Sequence, residues 1–144
     1  MAYMDIKFKK LDRNAVIPRK AHSSDAGMDL VAVSFETNDK YNFIEYGTGL
    51  AMEIPTNCVG LIFPRSSVSK TNLSLRNCVG VIDSGYRGEI KLRFSLDNTS
   101  NKRYDIFDKI GQIIIFEMPE LQITEARKLS DTDRGRGGFG STDK

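Results

Sequence analysis

The sequence predicts an all-β fold, and three observations carry that prediction. Apolar residues recur with a period of two: Ile90, Leu92, Phe94 and Leu96 alternate with Lys91, Arg93, Ser95 and Asp97, as in a strand with one buried face. Turn formers interrupt the apolar runs at short intervals, at Asp25-Ala26-Gly27, Tyr46-Gly47-Thr48-Gly49, Pro55-Thr56-Asn57, Asp83-Ser84-Gly85 and Asp97-Asn98-Thr99-Ser100-Asn101. That rhythm suits a sandwich or barrel. Helical patterning is confined to a turn or two.

In chain order, Ile6 and Phe8 alternate with Lys7 and Lys9 and open the first strand. Gly27-Met28-Asp29-Leu30 sets one carboxylate between apolar neighbours, and Glu36 to Tyr46 is a polar stretch with no assigned role. The continuous runs Val59-Gly60-Leu61-Ile62-Phe63 and Ile113-Ile114-Ile115-Phe116 suit strands buried on both faces. Between them, Pro64-Arg65 precedes the best helical candidate, a turn or two within Ser67 to Leu73. Asn77 to Gly88 reads as a β-hairpin: an apolar strand runs into Asp83, a turn follows, and Tyr86 opens the next strand. Gln112 is polar inside the run from Ile110 to Phe116, where a buried amide needs a partner. Glu125 to Leu129 is too short for a helix of consequence.

Composition narrows the function. At 144 residues, with 40% hydrophobic and 28% charged, one domain burying roughly 70% of its unfolded surface is expected. Lys+Arg 21 against Asp+Glu 19 leaves +2, too balanced for a duplex-DNA binder. No apolar run approaches the ~18 residues of a membrane span, and MAYMDIKFKK has no apolar core behind its charges. A cytoplasmic or nuclear protein without direct nucleic-acid or membrane contact is expected. Cys58 and Cys78 sit in apolar runs without Cys-x-x-Cys spacing and read as buried thiols, although one disulfide stays open. The single histidine, His22, would have to be the base of any Ser-His or Cys-His scheme; it reads instead as a loop residue.

Residues 130–144 differ from the rest. They carry Gly135, Gly137, Gly138 and Gly140 around one aromatic, Phe139, too little apolar surface to order alone. A frayed tail and an arm ordered by a ligand or a neighbouring subunit both fit. Arg134 to Thr142 combines two guanidinium groups, flexible N–H donors and two hydroxyls, the ingredients of a polyphosphate cradle. It lacks the Gly-Lys-Ser/Thr ending of a Walker loop, and Phe139 suits stacking on a planar base. An RGG-like RNA-binding tail is the rival. Asp83 at a strand end beside Tyr86 reads either as a base poised over a stacked ring or as a turn cap. Arg65 with Ser66 and Ser67 reads either as an anion site or as a surface arginine with an N-cap.

Taken in order, these segments resemble the five motifs of the trimeric dUTP pyrophosphatases (dUTPases): Ala26 to Leu30, Pro64 to Val68, Gly80 to Gly88, Ile110 to Ile114, and Arg134 to Thr142. Thr48 to Pro55 is similar to that family's strand before the second motif. The resemblance covers about residues 5 to 142, and its third and fifth motifs are the specific ones. It implies a jelly-roll-like β-barrel over 1–129 and a C-terminal arm over 130–144. Three copies would assemble as a homotrimer, with active sites between subunits and the arm reaching a neighbour.

By that resemblance Asp83 holds and activates the attacking water, and Tyr86 lies against deoxyribose. Asn77 and the backbone of Val79 to Ile82, Gly80 and Val81 included, pair with the uracil edge. Arg65, Ser66, Ser67 and Gln112 hold phosphate oxygens, and Lys91 joins the substrate contacts. Arg134, Gly140, Ser141 and Thr142 cover the γ-phosphate, with Phe139 over uracil. Asp29 orients a water of Mg²⁺, which the triphosphate chiefly binds. The implied reaction converts dUTP to dUMP and pyrophosphate, limiting uracil incorporation into DNA and supplying dUMP for dTMP synthesis.

Four departures from the family pattern stand out: Ser67-Val68 for Gly-Leu, Gly85 for a frequent acid, Phe107-Asp108-Lys109 for Gly-Asp-Arg, and Asp143 for a final Gly. The enzymatic rival is dCTP deaminase, which needs a glutamate where Arg93 stands, and an arginine cannot shuttle that proton. A nucleotide-gated regulatory binder and a purely structural β trimer are the non-enzymatic alternatives.

Overall fold

The structure, a computed structural model, describes residues 3–97 and 101–142; Asn98 to Ser100 of one expected turn, and Asp143, lie outside the described residues. The strands are β1 (Lys7–Lys10), β2 (Met28–Val31), β3 (Ser34–Asn38), β4 (Phe43–Gly47), β5 (Leu50–Glu53), β6 (Cys58–Phe63), β7 (Leu73–Leu75), β8 (Gly80–Asp83), β9 (Lys91–Leu96) and β10 (Lys109–Glu117). The helical candidate forms one short 3₁₀ helix, Ser66–Lys70.

Two four-stranded sheets, β2-β10-β6-β8 and β3-β4-β9-β7, and a β1-β5 ribbon make up the jelly-roll-like all-β fold; every pairing is antiparallel. Alternation decides which side chains meet between the sheets. Ile62 and Ile113 from one sheet pack with Ile44, Tyr46, Leu92 and Phe94 from the other. Burial of such side chains contributes about 1.5–3 kcal/mol each. The sheets approach closely at Gly111, where a β-carbon would stand 2.5 Å from Leu92 Cδ2. Tyr46, Phe94 and Tyr104 meet edge to face at ring distances of 5.8–6.3 Å. Tyr46 donates its hydroxyl to the Tyr104 carbonyl at 2.8 Å, and Thr48 donates to the Ile90 carbonyl at 2.7 Å. These bonds satisfy two polar groups that would otherwise be costly to bury.

The structure corrects three expectations. Asn77 to Gly88 is not a hairpin: after the turn the chain leaves β8 and enters β9 in the opposite sheet. A turn signal fixes a reversal but not the sheet that the next strand joins. The β6 and β10 runs are buried on one face only. Cys58 and Ile62 face the core, whereas Val59, Leu61, Phe63 and Ile114 are half-buried and Phe116 is 47% exposed. Cys58 is buried as expected, but Cys78 is an exposed free thiol in the loop before β8. The polar stretch from Glu36 is the β3–β4 hairpin, with Asn42 at its turn in the left-handed region (φ 52°), which Asn tolerates better than most residues.

Candidate functional site

The third motif sits on an open sheet edge. Among the described residues β8 pairs only with β6, which leaves its outer main-chain groups without a described strand beside them, able to serve a planar ligand edge. Asp83 ends β8, and the Tyr86 N–H donates to its carbonyl at 3.0 Å, closing the turn. Arg87 clamps that turn from outside, donating to the Ser84 carbonyl at 2.7 Å. The Tyr86 hydroxyl donates to the Glu89 carbonyl at 2.9 Å. A β-carbon at Gly88 would run into the Tyr86 ring, so that glycine sets where the ring lies. Asn77, Val81, Ile82, Asp83, Tyr86 and Lys91 all line one cleft of about 490 Å³.

The far wall of this cleft is charged, with Glu45, Arg76, Glu89 and Arg93. Glu45 Oε1 lies 3.0 Å from Lys91 Nζ and Oε2 lies 2.6 Å from Arg93 Nε. Burial alone would raise the Glu45 carboxyl, but the hydrogen bonds and charges of Arg93 and Lys91 outweigh it and hold the group below the usual range. The sequence reading missed this wall; Glu45 between the apolar Ile44 and Tyr46 was the available signal.

The first, second and fourth motifs meet at another corner. Asp29 pairs with Gln112 across β2–β10, and Gln112 pairs with Phe63 across β10–β6. The Gln112 amide donates to the Pro64 carbonyl at 3.0 Å. Asp29 Oδ1 holds Arg65 Nε at 2.8 Å and Oδ2 holds Lys109 Nζ at 3.2 Å, so this carboxylate aims the arginine of the next motif. Arg65, Ser67, Lys70, Arg103 and Lys109 line a cleft of about 460 Å³. Lys70 and Arg103 carry no motif in the sequence, and Lys109 stands there only as a departure from the family pattern; the fold gathers all three. Ser66 is exposed, while the Ser67 hydroxyl is 3.0 Å from the Tyr104 hydroxyl, which gives this departure a partner inside the chain.

These two corners do not meet within one chain. On the outer face of the sheet, Val59 of β6 opposes Asp83 and Phe63 opposes Gln112. Four residues along β6 and one strand to either side separate Asp83 from Gln112 by roughly 16 Å. Among the described residues the hydrogen bonds of the fifth motif are local. Arg134 donates to the Gly137 carbonyl at 3.0 Å and the Ser141 N–H to the Gly138 carbonyl at 3.1 Å. Phe139 is fully exposed, and Gly140, Ser141 and Thr142 are exposed beside it.

The dUTPase family model matches residues 13–143. This chain belongs to the dUTPase family. It is 43% identical over 138 residues to the deoxyuridine 5'-triphosphate nucleotidohydrolase of Swinepox virus, covering 95% of this chain and 96% of that one. The Staphylococcus bacteriophage 80alpha dUTPase with dUPNHPP shares its fold at a TM-score of 0.78 and 25% identity, over 95% of this chain and 97% of that one. A mutant dUTPase from phage phi11 of S. aureus, solved with the coordination of a structural Mg(II) ion, gives 0.69 at 23% identity, over 86% and 97%.

Among the described residues no three His, Cys, Asp or Glu side chains converge on a metal-sized site. Asp29 already holds two cations, Arg65 and Lys109, so both of its carboxylate oxygens are engaged. The other departures also acquire contexts. Gly85 has no heavy atom within 4 Å of a notional β-carbon, so a side chain there is optional. Phe107 adopts φ 70° at the third position of the Asp105–Asp108 turn, whose closing N–H to carbonyl distance is 3.1 Å. A turn with positive φ there favours glycine.

Proposed function

We propose that this chain hydrolyses dUTP to dUMP and pyrophosphate, in sites shared between the subunits of a homotrimer. The observation that carries the reading is the Asp83–Tyr86 turn at the open edge of β8, with Asn77 in the same cleft. Uracil pairs with the free main-chain edge of Gly80, Val81 and Ile82 and with Asn77, and deoxyribose lies on Tyr86. Asp83 takes the proton of a water that attacks the α-phosphorus in line; the new P–O bond forms as the α–β bridge breaks and pyrophosphate leaves. Such a base contributes about 10²–10⁴-fold.

Arg65, Ser66 and Gln112 of another subunit hold the phosphates; Ser67, tied to Tyr104, supports them, and Lys91 adds a contact from the cleft wall. Arg134, Gly140, Ser141 and Thr142 close over the γ-phosphate while Phe139 stacks on uracil, excluding water from the reacting centre. Mg²⁺, when bound, neutralises charge on the phosphates, and Asp29 fits its outer shell. Residues 1–129 form the barrel and 130–144 the arm in this scheme. The reaction limits uracil incorporation into DNA and supplies dUMP for dTMP synthesis.

Two features support the shared site. The roughly 16 Å between Asp83 and Gln112 is too long for both to serve one α-phosphate. The outer face of the same sheet also leaves Val81 61% and Phe116 47% exposed beside Leu61 and Ile114, an apolar surface suited to a second copy. The deciding assay is pyrophosphate release from dUTP, dTTP, dCTP and UTP with Mg²⁺. Release from dUTP alone is expected. Ammonia from dCTP, or dUTP binding without turnover, would replace this reading with a deaminase or a regulatory binder.

A further inference from the structure

The charged wall opposite Asp83 is hard to explain as stabilisation. Glu45 lies mid-strand between the fully buried Ile44 and Tyr46, and its side chain is only 13% exposed. Burying a carboxylate is costly. Its neighbour directly opposite on β3 is Glu36, and like charges facing across a strand pair are unfavourable. The two cations it holds are much more open, Lys91 at 45% and Arg93 at 57%, and exposed ion pairs add little stability. Arg93 is also stacked on Phe43, 4.7 Å from the ring centre.

The geometry points to Glu45 as a positioning residue, which fixes Lys91 against the cleft wall so that its ammonium faces the nucleotide in a set place; this rests on the dUTPase reading above. One carboxylate oxygen takes each cation, and Arg93, held by both Glu45 and Phe43, keeps the carboxylate from swinging. An ammonium has three donors. Glu45 uses one, leaving the others for a ligand oxygen in the cleft shared with Asp83 and Tyr86. Without Glu45 the flexible Lys91 stem has another carboxylate nearby, Glu89 at 3.9 Å, and every binding event must order it afresh. Ordering one long side chain weakens affinity by about three- to tenfold.

The test is a double-mutant cycle on dUTP turnover with E45Q, K91M and E45Q/K91M in the full-length protein. The expected result is a KM about three- to tenfold higher in E45Q with kcat within about twofold. E45Q should have no further effect in the K91M background, and E45D should recover part of the loss. An unchanged KM in E45Q, or the same increase with and without Lys91, would overturn the inference. If E45Q does not fold, E45D alone and in the K91M background gives the same cycle on a smaller scale. Failure of the wild type to hydrolyse dUTP sinks the dUTPase reading; normal wild-type turnover with an insensitive cycle sinks only the role of Glu45.

Discussion

An alanine at position 27 and an alanine at position 85 are the same chemical change with opposite expected outcomes. A β-carbon at Gly27 would overlap Gln112 Oε1 and stand 3.2 Å from Cδ and 3.3 Å from Cβ of that side chain. Gln112 must then rotate, giving up its 3.0 Å bond to the Pro64 carbonyl. The lost hydrogen bond is worth about 1 kcal/mol, and residual crowding adds about 1–3 kcal/mol. A loss of about 2–4 kcal/mol lowers Tm by roughly 6–13 °C for a chain of this size. Because Pro64 leads directly into Arg65, kcat/KM for dUTP should also fall by about tenfold, some 1.4 kcal/mol of transition-state binding. At Gly85 the β-carbon meets nothing within 4 Å, so Gly85→Ala should stay within about 0.5 kcal/mol of wild type. Thermal melts at fixed protein concentration and steady-state dUTP kinetics check both. A Gly27→Ala protein as stable and active as Gly85→Ala would refute the claim that this glycine makes room for Gln112.

Three further outcomes follow from local structure. At the left-handed Phe107 (φ 70°), F107G should be more stable than F107A by about 1 kcal/mol, reversing the usual order; urea titration of the two variants decides. Burial pushes the Tyr46 hydroxyl up to about 12 from its ordinary 10. The raised value favours the folded state fully below pH 10, and that contribution is lost as pH rises from 10 towards 12. Y46F should therefore cost about 1 kcal/mol at pH 7 through the bond to the Tyr104 carbonyl yet lose stability less steeply between pH 10 and 11. A thiol reagent should label the exposed Cys78 in the native protein and reach the buried Cys58 only on unfolding, as mass spectrometry of the labelled peptides would report.

The strands were legible where a local pattern meets a local cause. In β9 the alternation of Leu92 and Phe94 with Lys91 and Arg93 is the burial pattern observed, because one face of that strand meets the core. In β6 and β10 the apolar runs overstate burial, because an apolar side chain does not by itself tell which face of its strand meets the core. The β3–β4 hairpin went unread because its edge strand, Ser34–Asn38, is almost wholly exposed. For the candidate site, residue type and order in the sequence offer the candidates but not their grouping. Cross-strand register puts Asp29, Gln112 and Arg65 together and keeps Asp83 at a distance. Lys70 and Arg103 carry no local signal that separates them from ordinary surface charge, and Glu45 offers only its place between the apolar Ile44 and Tyr46.

In the proposed trimer, Asp83 of one subunit and Arg65 of another serve the same substrate. Equal amounts of D83N and R65A chains, each inactive alone, would be unfolded and refolded together and assayed for dUTP hydrolysis. If the site is shared, its two contributors are drawn independently, and about one quarter of the sites, ½ × ½, receive both intact residues. The mixture should recover about a quarter of wild-type activity. If each chain carries its own complete site, no mixture can repair it, and activity no greater than that of the two variants measured separately would contradict the account.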